Sequence, residues 1–113
     1  MAHDLPHRAR PRPDQAVYSI SVVAELVDTA PQNLRVYEAR GLVVPSRTSG
    51  GTRRYSDDDV TRIRRIGELL NAGLNLAGVK LVLEMELETE RLRGELADAR
   101  ARLRRHAPPE GQA

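Results

Sequence analysis

Val22, Val23, Leu26 and Val27 recur at the three-and-four spacing of one helix face, and Ser21 fits the capping position before them. Asp28 and Thr29 end that run. Pro31 suits a first helical position, where its missing N–H costs nothing, and Gly41 suits the left-handed residue just past a helix end. The pattern therefore predicts a short second helix over about 31–40, and two helices joined by so short a turn are a helix-turn-helix candidate. Beyond it, "LVV" leads into Pro45, and polar stretches flank Ser49-Gly50-Gly51, which predicts a β-hairpin over 45–55. A hairpin of that size is marginal alone, so it must lean on the helices as a wing.

Ser56, with Asp59 three residues later, resembles a capping box and opens a third helix. Val60, Ile63, Ile66, Gly67 and Leu70 form its expected buried stripe, leaving Arg62, Arg64 and Arg65 outward. Gly73 stops it. Asn75 fits the cap of a fourth helix through Leu76, Val79, Val82 and Leu83. From Val82 the spacing becomes a heptad seam of about three repeats: Met85, Thr89, Leu92, Leu96, Ala99 and Leu103. Such a helix is too exposed to stand alone, and a second copy is the economical partner. The alternative is a lone helix folded back on its own domain.

Charge gives that pairing a direction. Residues 84 to 98 carry six acids and two arginines, and residues 100 to 105 carry four arginines and no acid. Parallel copies would set like against like, whereas antiparallel copies bring the acidic stretch beside the basic end. The reading is thus mainly α: a disordered tail over 1–16, a winged helix-turn-helix domain over 17–83, an antiparallel coiled-coil dimerisation helix over 84–105, and a second disordered tail over 106–113.

The chain's 113 residues allow one small domain with an appendage, and a composition with 3% aromatic residues leaves Leu, Val, Ile and Ala to build the core. No cysteine is present, which excludes disulfides, thiolate metal ligation and a catalytic thiol. No apolar run approaches a bilayer span, so the expected location is cytoplasmic, with no membrane partner. The three histidines, His3, His7 and His106, fall in the expected tails, and no nucleophile has a catalytic setting, so neither an enzyme nor a metal site is expected. The net charge of +2 says little, but residues 29 to 65 hold eight arginines against four acids. Three of them, Arg47, Arg53 and Arg54, stand on the hairpin.

The stretches "YSISVVAEL", "NLRVYEARGLVVPSR", "GGTRRYSDDDV" and "NLAGVKLVLE", in that order and spacing, resemble the MerR family of winged helix-turn-helix transcription regulators over residues 18 to 86. "ISVVAEL", "RTSGG", "RRYS" and "NLAGVK" are most similar to its heat-shock repressor (HspR-like) branch. The chain departs from the pattern at Asp28, where the turn usually has glycine, at Thr29, where a hydrophobic residue is usual, and at Thr52, where the wing usually has tyrosine. Aspartate tolerates the left-handed backbone better than most residues.

The resemblance implies a homodimer that binds an inverted repeat in double-stranded DNA and represses heat-shock or stress genes. It implies a recognition helix with Pro31, Gln32, Asn33, Arg35 and Tyr37, and a DNA-binding wing with Arg47, Thr52, Arg53, Arg54 and Tyr55. Gln and Asn suit adenine, and Arg suits guanine or phosphate. Tyr37 either bonds a phosphate or packs against the wing. Glu38 is expected to orient a neighbouring arginine. Arg53 is favoured for DNA, with Arg54 left to Asp57 or Asp58. Met85, Leu92, Leu96, Ala99 and Leu103 would form the dimer seam. The branch also implies an Hsp70-type chaperone partner, but through a longer apolar tail where this chain has "PPEGQA"; RNA polymerase is a further partner open to a promoter-bound regulator. No cofactor is implied: the cysteines of the metal-sensing and redox-sensing relatives are lacking. Two other readings are a coiled-coil protein-binding adaptor and an excisionase-like architectural DNA-binding protein, which would not need the dimer helix.

Overall fold

A computed structural model describes residues 10–106 and gives the order α1 (Ile20–Leu26), α2 (Pro31–Ala39), β1 (Ser46–Arg47), β2 (Arg53–Arg54), α3 (Asp57–Asn71) and α4 (Leu76–His106). The chain divides into two compact units, one up to Leu76 and one from Ala77. Among the described residues no helix is long and apolar enough to cross a membrane.

In the first unit, Ser19 rather than Ser21 caps α1, its side chain accepting the Val22 amide. The reason lies upstream. Tyr18 exchanges backbone hydrogen bonds with Tyr55 at 2.9 and 2.8 Å, an antiparallel bridge that holds the chain extended until Ser19. The helix is therefore turned from its expected setting: Val23 and Ala24 are buried, while Val22 and Leu26 are exposed. Asp28 follows at φ 53, the left-handed turn position, and Pro31 opens α2. Arg40 closes α2, Gly41 sits at φ 74, and the Leu42 amide reaches back to the Tyr37 carbonyl at 2.9 Å.

The hairpin is antiparallel, with Ser46 opposite Arg54 and Arg47 opposite Arg53. Ser56 and Asp59 form the full capping box on α3, each side chain bonding the other's backbone amide. Leu69 joins Val60, Ile63 and Ile66 as the fourth buried position, where Leu70 was expected; Leu70 is only half-buried. Residues 10–16, expected to belong to a disordered tail, contain a turn in which the Gln15 amide meets the Arg12 carbonyl; the Pro13 carbonyl accepts the Asp58 amide of α3 at 2.9 Å. That bond uses one of the free donors of a helix start. The rest of the expected N-terminal tail, and 107–113 of the C-terminal one, lie outside the described residues. Among the described part of the latter, His106 is still helical.

The second unit is one helix, which runs without a break through 83 and 84. Val79 and Leu83 are its buried residues. At 3.6 residues per turn, Met85, Leu92, Leu96, Ala99 and Leu103 fall within an arc of roughly 60° on nearly the opposite side. Leu81, which the heptad reading passed over, shares that arc and is exposed.

Candidate nucleic-acid interface

Burial of Leu34 and Tyr37 fixes how α2 is rotated. Gln32, Asn33 and Arg35 are thereby left exposed on its first turns. Each of the three has a hydrogen-bond partner. The Asn33 amide donates to Thr29 Oγ1 at 2.9 Å, and Arg35 meets Gln32 Oε1 at 3.4 Å. Thr29, the residue where the family pattern is apolar, thus orients a candidate reader, and its position four residues before Asn33 was the available signal.

Tyr37 is 8% exposed and lines an open groove with Leu26, Asp28, Ile63, Arg64 and Glu68. Burial raises its phenol pKa above the ordinary tyrosine value. Tyr55, expected on the DNA face of the wing, is wholly buried, its hydroxyl without a hydrogen-bond partner. Its ring serves the core because the bridge to Tyr18 turns that strand position inward. Arg47 and Thr52 are exposed, whereas Arg53 and Arg54 are half-buried.

Glu38 gathers the wing arginines. Its Oε2 accepts from Arg47 Nη2 at 2.9 Å and its Oε1 from Arg53 Nε at 2.5 Å. The Arg53 hydrogen bond, with the charges of Arg53 and Arg47, holds the Glu38 carboxyl below the usual carboxylate range against the opposing effect of burial. Arg47 also donates to the Gly51 carbonyl at 3.0 Å, which ties the turn to the same cluster. The wing residue favoured for DNA is thus bound within the protein. Arg54 donates to the Arg53 carbonyl, and Asp57 instead takes the Tyr18 hydroxyl at 2.8 Å. Two of the arginines expected to face outward have backbone duties: Arg62 donates to the Leu42 carbonyl, and Arg64 to the Leu26 carbonyl at the end of α1.

Of the expected dimer residues, Met85, Leu92, Leu96 and Leu103 are exposed and Ala99 is half-buried. Among the described residues no cluster of His, Asp or Glu is arranged to hold a metal ion.

A short helix in a helix-turn-helix, followed by an arginine-bearing hairpin and a capped third helix, defines a winged helix-turn-helix protein. The chain belongs to the MerR HTH family of regulatory proteins, whose family model matches residues 18–86, and that family consists of transcription regulators rather than enzymes. It is 43% identical over 91 residues to the protein named heat shock protein HspR in Streptomyces coelicolor, a match covering 80% of this chain and 60% of that one. The chain thus spans about three fifths of that relative's length. Its fold resembles a MerR family transcriptional regulator from Bacillus cereus at a TM-score of 0.56 and 25% identity, covering 78% of this chain and 72% of that one. It also resembles HiNmlR, a MerR family regulator solved bound to promoter DNA, at a TM-score of 0.56 and 24% identity, covering 76% and 77% of the two chains.

Proposed function

We propose that this protein is a cytoplasmic, homodimeric transcription repressor of heat-shock or stress genes that binds an inverted repeat in DNA. The observation that carries the reading is the exposed trio Gln32, Asn33 and Arg35 at the start of a short helix whose rotation is fixed by buried Leu34 and Tyr37. A helix N-terminus presented in this way reaches base edges in the major groove, while the wing cations stand over the backbone. Arg47 is the wing arginine best placed to meet a phosphate, being more exposed than Arg53. The similarity to HspR supports the stress-gene assignment.

Dimerisation is supported by the apolar arc of Leu81, Met85, Leu92, Leu96 and Leu103, all exposed in the single chain. A second copy running antiparallel covers it and sets Arg100, Arg102, Arg104 and Arg105 near the acids of 84–98. Two identical reading heads then call for a symmetric site.

Footprinting on promoter fragments, followed by titration of the protected fragment, tests this. Wild type should protect a symmetric sequence, and a Gln32→Ala, Asn33→Ala, Arg35→Ala variant should bind it at least about tenfold more weakly, since each well-formed base contact is worth about 1–3 kcal/mol. Equal binding by the variant, or protection without symmetry, would overturn the reading.

A further inference from the structure

Arg47 and Arg53 are direct cross-strand partners in the hairpin. Like charges in that relation repel and destabilise a two-stranded sheet. Neither is left bare. A single carboxylate on α2, Glu38, spans both, one oxygen to each guanidinium. Its side chain is 23% exposed, against 46% for Arg47 and 27% for Arg53, so the pairing lies at the rim of the head where a phosphate could compete for the same donors.

We propose that Glu38 is a positioning residue that sets DNA specificity: by occupying both guanidinium groups of the cross-strand arginine pair, it withholds them from indiscriminate phosphate contact and keeps the wing in register with α2. This rests on the DNA-binding reading above. A duplex that engages the wing exchanges a phosphate for the carboxylate, so an ion pair is replaced instead of added. Non-specific affinity comes from cations that neutralise phosphates and release counterions. The trio of Arg47, Arg53 and Glu38 offers such a duplex one net positive charge where the arginine pair alone would offer two. Contacts by Gln32, Asn33 and Arg35 to base edges are untouched by this restraint, so the ratio of specific to non-specific binding rises. Two further details fit. Arg47 also donates through its other terminal nitrogen, Nη1, to the Gly51 carbonyl, so the tip of the wing is fixed together with the pair. The ion-paired form of Glu38 is also the favoured one, since Arg53 and Arg47 lower the pKa of its carboxyl.

The experiment is fluorescence anisotropy with the full chain over a salt series, on the footprinted fragment and on a random duplex of equal length, with folding checked by circular dichroism. In Glu38→Gln, binding to the random duplex should tighten about three- to tenfold at low salt, and the slope of log K against log salt should steepen by about one, the increment for one more phosphate contact. Affinity for the footprinted fragment should change less, so the specificity ratio falls. Glu38→Asp keeps the charge but is too short to span both guanidinium groups, and its slope should lie between those of wild type and Glu38→Gln. In an Arg47→Gln, Arg53→Gln background, Glu38→Gln should add nothing. If Glu38→Gln weakens both duplexes in proportion at an unchanged slope, Glu38 is structural only and the proposal is overturned. If Glu38→Gln fails to fold, a Glu38→Asp slope equal to wild type overturns it by itself. Failure of wild type to prefer any fragment would instead overturn the DNA-reading function, and the slopes on random duplex would still report on Glu38.

Discussion

α3 and α4 are drawn from similar residues, with Leu and Val spaced among arginines and acids, yet they end in opposite conditions. α3 buries Val60, Ile63, Ile66 and Leu69 within 15 residues, behind a complete capping box. α4 runs for 31 residues and buries only Val79 and Leu83. The difference shows where each helix gets its stability. α3 is held by packing inside its own unit, whereas the far half of α4 has helical hydrogen bonds, local ion pairs such as Arg91 with Glu88 and Glu95, and an apolar arc facing water. Helices owe most of their stability in proteins to tertiary packing of one face. The arc of α4 is apolar surface that the single chain leaves exposed.

The sharpest way to break that contrast is to charge the arc. Leu92→Glu with Leu96→Glu removes two leucines from each protomer, each worth about 1.5–3 kcal/mol when fully buried. The dimer dissociation constant should rise by at least about a thousandfold in sedimentation equilibrium, with the thermal transition of the head retained. If wild type and variant sediment alike, the arc is no self-interface. Ile66→Ala makes the converse cut. Ile66 is wholly buried, so its truncation should cost about 2–5 kcal/mol. Denaturant titration should return that loss at every protein concentration where the oligomeric state is fixed.

Smaller effects sharpen the comparison at the helix ends and the wing. Ser56→Ala removes the capping hydroxyl of α3 and should cost about 1 kcal/mol, a drop of about 4–8 °C in Tm for a unit of this size. Glu38 gives a pH signature. Its folded pKa lies below the unfolded one, first through the Arg53 hydrogen bond, so its stabilisation is complete above the unfolded value near about 4.3 and is lost as pH falls through the folded value. The urea midpoint of wild type should therefore decline more steeply below about pH 5 than that of Glu38→Gln. The difference should be modest, because these groups are partly exposed and solvent screens them.

What could be read from the chain alone follows the same division. Pro31, Gly41 and Gly73 act through their own backbone, Ser56 and Asp59 through side chains that bond amides only three residues away, and each marks its boundary where the structure has it. Asp28 was legible as a left-handed residue for the same reason. The failures are long-range. Ser21, read as the cap of α1, lies inside the helix, because the Tyr18–Tyr55 bridge holds the chain extended until Ser19, which caps it instead. Tyr55, read as a residue of the DNA-binding wing, is held in the same bridge and is buried. Arg62 and Arg64 read as outward cations because nothing local marks the Leu42 and Leu26 carbonyls as their acceptors. Glu38 was legible as an arginine partner, but not that it takes two arginines at once, which depends on the hairpin register.

The smallest expected effect, and one opposite in sign, concerns the two helix glycines. Gly67 lies in α3 and Gly94 in α4, and a methyl group added at either meets no atom within 4 Å. Alanine at an open helix-interior position gains about 0.5–1 kcal/mol over glycine. Gly94 falls on the side of α4 away from the apolar arc, so Gly94→Ala changes no proposed contact. In α3, whose helix is fixed by packing, Gly67→Ala should appear as a higher Tm for the head. In α4, if the helix needs its partner to be fully formed, Gly94→Ala should instead appear as more ellipticity at 222 nm in dilute, monomeric protein and as tighter dimerisation, because less ordering remains to be done on association. Unchanged ellipticity and an unchanged dissociation constant, beside a raised Tm for Gly67→Ala, would mean that α4 is already complete as a single helix. The contrast between the two helices would then lie in their packing alone.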